Sequence, residues 1–490
     1  MTSSPSPTAR HVIGGTVQIF LAEALLLPTG ILTAAFLTRR LGPEGYGVFT
    51  LVATLIAWIG WSITSVFTRT TIKFVGEAED WRPVGAKVLR LHLWFGGGAA
   101  LLLWLSADAL AEVMNEPAIA GYLKLFSFDI PLFCLGYVHR SILVGVGQFT
   151  QRAIATAGRW LARMVFILGL VALGLSVSGA ILGSIAASAI ELIISRFFVR
   201  PSLFRPSSFP MRKLWGYAIP LFLFAMSMRL YEKLDLFALK ILGGTTAQVG
   251  FYGAAQNLSL IPGIFSLAFS PLLLSTLTRS LHRGELDAAK QMSQDAMRLV
   301  LLMLPFAALT AGAAAEIVAL IFGDAFLSTA PLLQVLIFGA IALAMISVTT
   351  SILTAAGKPN WTFILAGPLL PIAVVGHLFA IPAYGPVGAA LISSGVATLG
   401  AIATVVVLYQ FWRIVPTWST LCRSVVLSGF AYAAAISWAT PGVLLLIKLG
   451  IIALFIVVGF WGLGEFQSRE ITFFRSWLRS LVPLFRKQRT

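Results

Sequence analysis

Apolar positions in this chain do not alternate with polar ones. They form runs of twenty or more residues, separated by short connections rich in Gly, Pro, Arg and Lys. About 20 apolar residues in a helix rise about 30 Å, the thickness of a bilayer's hydrocarbon core. A helix also satisfies its own backbone polar groups there, where no water can do so. The pattern therefore predicts an all-α integral membrane protein of about fourteen transmembrane helices. The expected spans are 14–37, 46–68, 86–106, 120–145, 153–174, 178–199, 213–241, 247–273, 297–321, 329–354, 361–380, 386–411, 421–440 and 443–464.

The fourth span is interrupted by Asp129, His139 and Arg140. The connection from Ala107 to Ala120, with Asp108, Glu112 and Glu116, is expected to hold a short surface helix. Ser275 to Arg298 reads as a helical connection along the interface. From Arg469 onward, Ile471, Phe474, Trp477, Leu478, Leu481 and Phe485 share one helical face among Arg475, Arg479, Arg486 and Lys487, the pattern of an interfacial anchor on anionic lipid.

Composition sharpens this picture. Of 490 residues, 58% are hydrophobic and 11% charged, and the mean hydropathy is +0.90, which excludes a soluble globular protein. The net charge of +16 sits in the connections between runs, so it reads as a topology signal and not as a nucleic-acid surface. Arg69, Arg82, Arg152, Arg200, Arg279, Arg283, Arg413 and the tail fall in alternate connections, while the others hold little beyond Arg39, Arg40 and Lys124. Basic connections stay on the cytoplasmic side, which places both termini there. The N-terminal stretch runs into a full-length span containing Glu23 and Pro28, an uncleaved first helix.

Cys134 and Cys422 lie in apolar runs without ligand spacing, so neither a disulfide nor a metal site is expected, and no cofactor. No phosphate-cradling glycine loop is followed by lysine, which argues against nucleotide hydrolysis. No sizeable outer loop carries catalytic carboxylates, so the chain does not read as a membrane enzyme.

Arg39 to Phe49 (RRLGPEGYGVF) is echoed about 200 residues later by Leu239 to Gln256 (LKILGGTTAQVGFYGAAQ). Each has a basic residue, Leu-Gly, a polar turn and an aromatic-flanked glycine. The echo predicts two six-helix lobes, residues 1–204 and 205–416, related by an axis along the membrane normal. Residues 417–490 then supply two extra transmembrane helices and the basic amphipathic tail.

The strings LTRRLGPEGYGVFTL, YEKLDLFALKILGGTTAQVGFYGAAQ, FSPLLLSTL, EIVALIFGDAF, ILTAAGKPN and IPAYGPVGAALISS, in this order and spacing, resemble the polysaccharide transporter (O-antigen flippase-like) family of the multidrug/oligosaccharidyl-lipid/polysaccharide exporter superfamily. The resemblance covers Gly14 to Tyr409. It implies two six-helix bundles facing each other across a central cavity, alternating access, and undecaprenyl-diphosphate-linked oligosaccharide as cargo in a bacterial cytoplasmic (inner) membrane. Glycan polymerase and glycosyltransferases of the same pathway are the implied protein partners.

Ionisable residues inside spans each cost about 2.5–3.5 kcal/mol at a helix centre, and they ordinarily face a wet interior. Arg229, Lys233 and Lys240 of span seven fall within about 40° of one another over about 17 Å, beside Glu232 and Asp235. A diphosphate headgroup on Arg229 and Lys233 relieves their repulsion, because guanidinium matches phosphate oxygens in pairs. A salt bridge to Glu232 or Asp235 would do so equally. Arg163 and Arg140 are further candidate cavity cations, with Arg159 near the inner interface and Glu191 a neutraliser for Arg163.

Glu23, Asp129 and Asp235 are candidates for carrying a coupling ion. Glu316 and His377 read as structural. Pro28, Pro220, Pro262 and Pro271 favour kinks, with Pro28 a candidate hinge. Two rival readings stay open within the superfamily: a cation-coupled multidrug exporter, which calls for an acidic cavity, and a lipid II flippase, which differs in cargo.

Overall fold

The computed structural model describes residues 18–203, 210, 231, 233–440 and 442–466. Arg229, Glu232, Pro220 and the tail beyond Phe466 lie outside the described residues. Among those described, nine helical stretches are long and apolar enough to cross a membrane.

The longest of these contain more than one crossing, and glycine marks where the chain breaks. Helix α1 (Leu26–Glu77) has 52 residues, about 80 Å of rise, more than twice a hydrocarbon core. Its helical geometry is interrupted at Gly42 (φ 68°), followed by Pro43. A positive φ is free of penalty only for a residue without a Cβ, and proline cannot donate the next helical bond. Residues 18–24 are also helical, and the break at Leu25 falls where Pro28 offers no N–H to the carbonyl of residue 24.

Helix α2 (Arg82–Val113) runs straight through the expected surface helix. A turn with Asn115 at φ 48° follows, and α3 (Ala118–Phe126) begins at once. The expected fourth span is two pieces, α3 and α4 (Asp129–Gly145), with Asp129 opening the second. α5 (Phe149–Leu170) passes through a π-helical turn to α6 (Ser176–Phe198), where Gly174 takes φ 92°.

The second half contributes α7 (233–241), α8 (Thr246–Ser259), α9 (Ile261–His282), α10 (Leu286–Leu301), α11 (Leu304–Gly312) and α12 (Ala314–Phe322). A 3₁₀ turn (Asp324–Thr329) leads to α13 (Ala330–Ala355), then α14 (Pro359–Ala366) and α15 (Leu369–Trp412), which is kinked at Gly385 and Pro386. Helices α16 (Trp418–Ser437) and α17 (Leu444–Gly462) close the described chain. The expected connection Ser275–Arg298 is not a separate helix. It is the end of α9, a turn at Gly284 (φ 75°), and the start of α10.

Each half builds its own interior. In the first, α4 packs on α1, α2 and α6, and α6 on α5. In the second, α13 is enclosed by α8, α9, α11 and α15. The halves meet where α1 lies on α8. There a Cβ on Gly47 would overlap the Thr246 carbonyl, one on Gly250 the Pro43 carbonyl, and one on Gly253 the Thr50 side chain. Backbones can approach this closely only where side chains are absent, the usual solution for helices packing in lipid.

Polar contacts flank the glycine seam. Asn257 Nδ2 donates to Tyr46 Oη at 2.8 Å, and Arg39 donates to the carbonyls of Leu320 (2.6 Å) and Ile321 (3.3 Å) at the end of α12. Glu116 accepts from Thr246 and lies 3.3 Å from Lys240 Nζ. Phe326 caps this end, its ring 5.8 Å from Tyr46 and 5.6 Å from Phe251.

α16 and α17 dock on α11 through a small apolar core of Leu309, Leu427, Ala431, Ile452 and Ile456. Two buried ionic contacts fix the pair. Lys448 Nζ, fully buried, lies 2.5 Å from Glu316 Oε2, and the Thr440 N–H donates to Glu316 Oε1 at 2.8 Å. Glu465, just past α17, takes Arg298 Nε at 2.7 Å, Arg423 Nη1 at 2.6 Å and the Thr420 hydroxyl at 2.5 Å.

Gly47→Ala should part α1 from α8. A cysteine at Thr50, in a background lacking Cys134 and Cys422, should then react faster with a membrane-impermeant thiol reagent; an unchanged rate would show that the glycine contact does not set closure. Burial pushes the Glu465 carboxyl up, but the hydrogen bonds from Thr420, Arg423 and Arg298 outweigh it and hold the group below its ordinary value. Its contribution to stability is thus complete above the ordinary glutamate range and is lost as pH falls through the depressed value. Glu465→Gln should remove roughly 3 kcal/mol, lowering the melting temperature in detergent at neutral pH and narrowing the gap to wild type under acid.

Candidate functional site

Most ionisable side chains buried in the first half converge between α4, α5 and α6. Ser188, Glu191 and Ser195 recur at helical spacing on the face of α6 turned to α4 and are buried. Gly136 of α4 brings that helix close, since a Cβ there would stand 3.4 Å from Glu191 Oε2. Into this space Arg140 places Nε 2.8 Å from Glu191 Oε1, and Arg159 places Nε 3.3 Å from Glu191 Oε2. Glu191 is fully buried. One carboxylate thus serves two guanidiniums in a medium where bare charge is very costly.

The distances are those of ion pairs, but the N–H groups do not point along them. Among the described residues, Arg140 Nε and Nη2, Arg159 Nε and both Glu191 oxygens make no aligned hydrogen bond. Instead the guanidiniums lie over rings. Arg140 Cζ is 4.4 Å from the Tyr137 centroid, and Arg159 Cζ is 4.7 Å from Phe133 and 5.1 Å from Trp160. Toward the Glu77 end of the bundle the ladder continues, with Glu23 3.9 Å from Arg140 and 3.1 Å from Arg152. Toward the Gly42 end, Asp129 is buried with Ser188, Arg159 and Arg163 as its polar neighbours.

Arg163 stands one turn beyond Arg159, half-buried, and makes no ion pair among the described residues. Asp129, Arg159 and Tyr46 lie within its electrostatic reach. Tyr46 itself accepts from Asn257 of the other half at the seam. Across the described cluster Arg140, Arg152, Arg159 and Arg163 face only Glu23, Asp129 and Glu191, so positive charge is in excess.

In the second half Lys240 is buried and held by Glu116 and by Thr246 Oγ1 at 2.8 Å. Lys233 is half-buried and makes no ion pair among the described residues. Asp235 is buried and accepts from Tyr252 (2.6 Å), Gln256 (3.0 and 3.1 Å), Ser393 (3.1 Å) and the Leu236 N–H (2.8 Å). Its donors are neutral; His377 of α15 lies within electrostatic reach. Among the described residues, no three His, Cys, Asp or Glu side chains group as metal ligands. The chemistry on offer is anion binding on guanidiniums and a carboxylate in a neutral hydrogen-bonding nest.

Sequence reasoning paired Glu191 with Arg163; the structure gives it to Arg140 and Arg159. It also sent Arg159 to the interface, whereas the guanidinium lies inside, between two rings. The aromatic residues around the arginines went unremarked, although Phe133, Tyr137 and Arg140 follow one another at helical spacing and so share a face. Tyr252, Gln256 and Ser393 left no comparable trace, because their meeting at Asp235 is tertiary.

A family model described as "Polysaccharide biosynthesis protein" matches residues 36–331, more than half of the chain. A "Putative O-antigen transporter" of Shigella flexneri is 24% identical over 402 residues, covering 78% of this chain and 93% of that protein. Among solved structures, the lipid II flippase MurJ in an inward closed conformation is similar with a TM-score of 0.76 at 15% identity, covering 91% of this chain and 98% of that one. An inward-facing MATE family multidrug transporter of the MOP superfamily follows the same fold at a TM-score of 0.60 and 16% identity, over 83% of this chain and 96% of that one. The all-α membrane fold expected from sequence is therefore present, and the chain, a multi-pass inner-membrane protein, belongs to the polysaccharide biosynthesis protein family of membrane transporters.

Proposed function

We propose that this protein flips undecaprenyl-diphosphate-linked oligosaccharide, a precursor of O-antigen or another surface polysaccharide, across the cytoplasmic membrane by alternating access. The observation that carries the reading is Arg163: a guanidinium inside a membrane helix, half-buried and without an ion-pair partner among the described residues, in a cluster with more cations than carboxylates. An unpaired cation in lipid is stable only in a wet space or against an anion. A diphosphate supplies several acceptor oxygens to such a group.

In this reading the lobes 1–204 and 205–416 enclose the cavity, and 417–490 lies outside it. Arg163 receives the headgroup, with Arg229, Lys233 and Arg140 along its path. The buried Lys240, bound to Glu116, closes the Gly42 end. Lysine and arginine bias assigns that end to the outer face and both termini to the cytoplasm. Asp235, Asp129 and Glu23 are the carboxylates through which an ion gradient can act. Asp235 is the best formed of them, since neutral donors hold it and no described cation claims it. Pro28, next to the break at Leu25, is the hinge of the first helix. A multidrug exporter for cationic drugs fits poorly, because the described cluster in the first half carries more cations than carboxylates.

Reconstituted in liposomes, Arg163→Ala should slow flipping of a fluorescent undecaprenyl-diphosphate-linked sugar by about 10–100-fold, the worth of a hydrogen bond to a charged group. Arg163→Lys should restore part of the rate, as a point charge without the paired donors. Wild-type flipping by Arg163→Ala at equal protein content would overturn the assignment.

A further inference from the structure

The rings around the arginines form a continuous surface that the diphosphate does not need. On α1, Gly47, Thr50, Thr54, Trp58 and Trp61 fall within an arc of about 80° at 100° per residue. The first two press against α8, and the bonds to the second half described for α1 come from Arg39 to Thr50. Trp58 and Trp61 carry the same face on toward the Glu77 end, Trp61 about 17 Å beyond Thr50 by helical rise. They therefore lie on the side of α1 that meets α8 nearer Gly42, while the Trp61 ring itself packs back on α4.

The Trp61 ring meets Phe133 at 5.6 Å and Tyr137 at 5.3 Å, both edge to face. Tyr137 and Phe133 in turn lie under Arg140 and Arg159. Rings and guanidiniums thus alternate across α1, α4 and α5. Two donors in this surface have no acceptor among the described residues: the buried indole nitrogens of Trp58 and Trp160 make no hydrogen bond there. Buried indole N–H groups ordinarily find a partner, and in a membrane interior lipid tails supply none.

We propose that Trp58, Trp61, Phe133 and Tyr137 form a carbohydrate subsite for the sugar ring that adjoins the diphosphate. This rests on the reading of Arg163 as the diphosphate cation. A pyranose presents weakly positive C–H groups on its face and hydroxyls at its rim. The electron-rich ring faces take the first, and the orphan indole donors take the oxygens of the second. A wholly apolar ligand would leave the two N–H groups unpaired, and a bare anion would leave the rings unused. A cationic ligand would meet the arginines between them.

The test compares undecaprenyl diphosphate with undecaprenyl-diphosphate-linked N-acetylglucosamine, each binding to the purified full-length protein in detergent. The wild type should prefer the glycosylated lipid by about tenfold, one well-made polar contact plus ring burial. Trp58→Phe keeps the ring and loses the donor, and Trp61→Leu loses the ring. Each should reduce the preference to about twofold while leaving affinity for the bare diphosphate lipid unchanged. Should Trp61→Leu fail to bind either lipid, Trp58→Phe decides.

Equal wild-type affinity for the two lipids, or a preference undiminished in Trp58→Phe and Trp61→Leu, overturns the subsite and leaves the diphosphate reading intact. Arg163→Ala should weaken both lipids alike. If it weakens neither, the diphosphate reading fails, while a sugar preference that falls in both tryptophan variants still supports the aromatic subsite.

Discussion

Lipid does not solvate charge, and the first half of this protein nevertheless buries a carboxylate between two guanidiniums at Glu191. Everything around it follows from having to support that arrangement. Glycine at 136 lets α4 reach α6, rings from α4 and α5 lie against the guanidiniums, and Glu23 and Arg152 extend the ladder toward the interface. Because Glu191 serves two arginines and Asp129 stands near a third, the carboxylates run out before the cations do. A transporter of anions needs such an imbalance on the inside; a purely structural network does not.

The second half handles its buried acid differently. Asp235 sits among hydroxyl and amide donors, so its charge is stabilised without being cancelled by a described cation. Among the described residues, the cluster of the first half thus holds more cations than carboxylates, and Asp235 of the second is a stabilised negative charge. That asymmetry is hard to reconcile with two lobes doing the same job. It suits the proposed reading, in which the first half holds cargo and the second answers to an ion.

Much of the fold was legible because lipid imposes a length and forbids unsatisfied backbone, so apolar runs map directly onto helices. The limits came where local signals compete. The connection Ala107–Ala120 reads as a short surface helix, since Asp108, Glu112 and Glu116 look like a surface segment, yet α2 runs on to Val113 and carries the first two. Ser275–Arg298 is polar enough to read as interfacial, and its reversal depends on Gly284, one glycine among many. Buried charges were visible as exceptions in apolar runs, but their partners were not. Arg140, Arg159 and Glu191 are brought together from three helices, and no spacing along the chain announces which pairs form. Lys240 looked like part of a cationic stripe on its own helix and is held by Glu116 from the opposite half.

The seam between the halves is made largely of main-chain atoms: glycines 47, 250 and 253 against carbonyls and a threonine methyl, and Arg39 on the free carbonyls that end α12. Contacts of this kind ask nothing of the molecule being moved. In the proposed reading, the tryptophans, tyrosine and phenylalanine of the sugar subsite can change with the cargo without disturbing this contact. The seam itself has almost no freedom to vary, because its fit is measured from backbone to backbone.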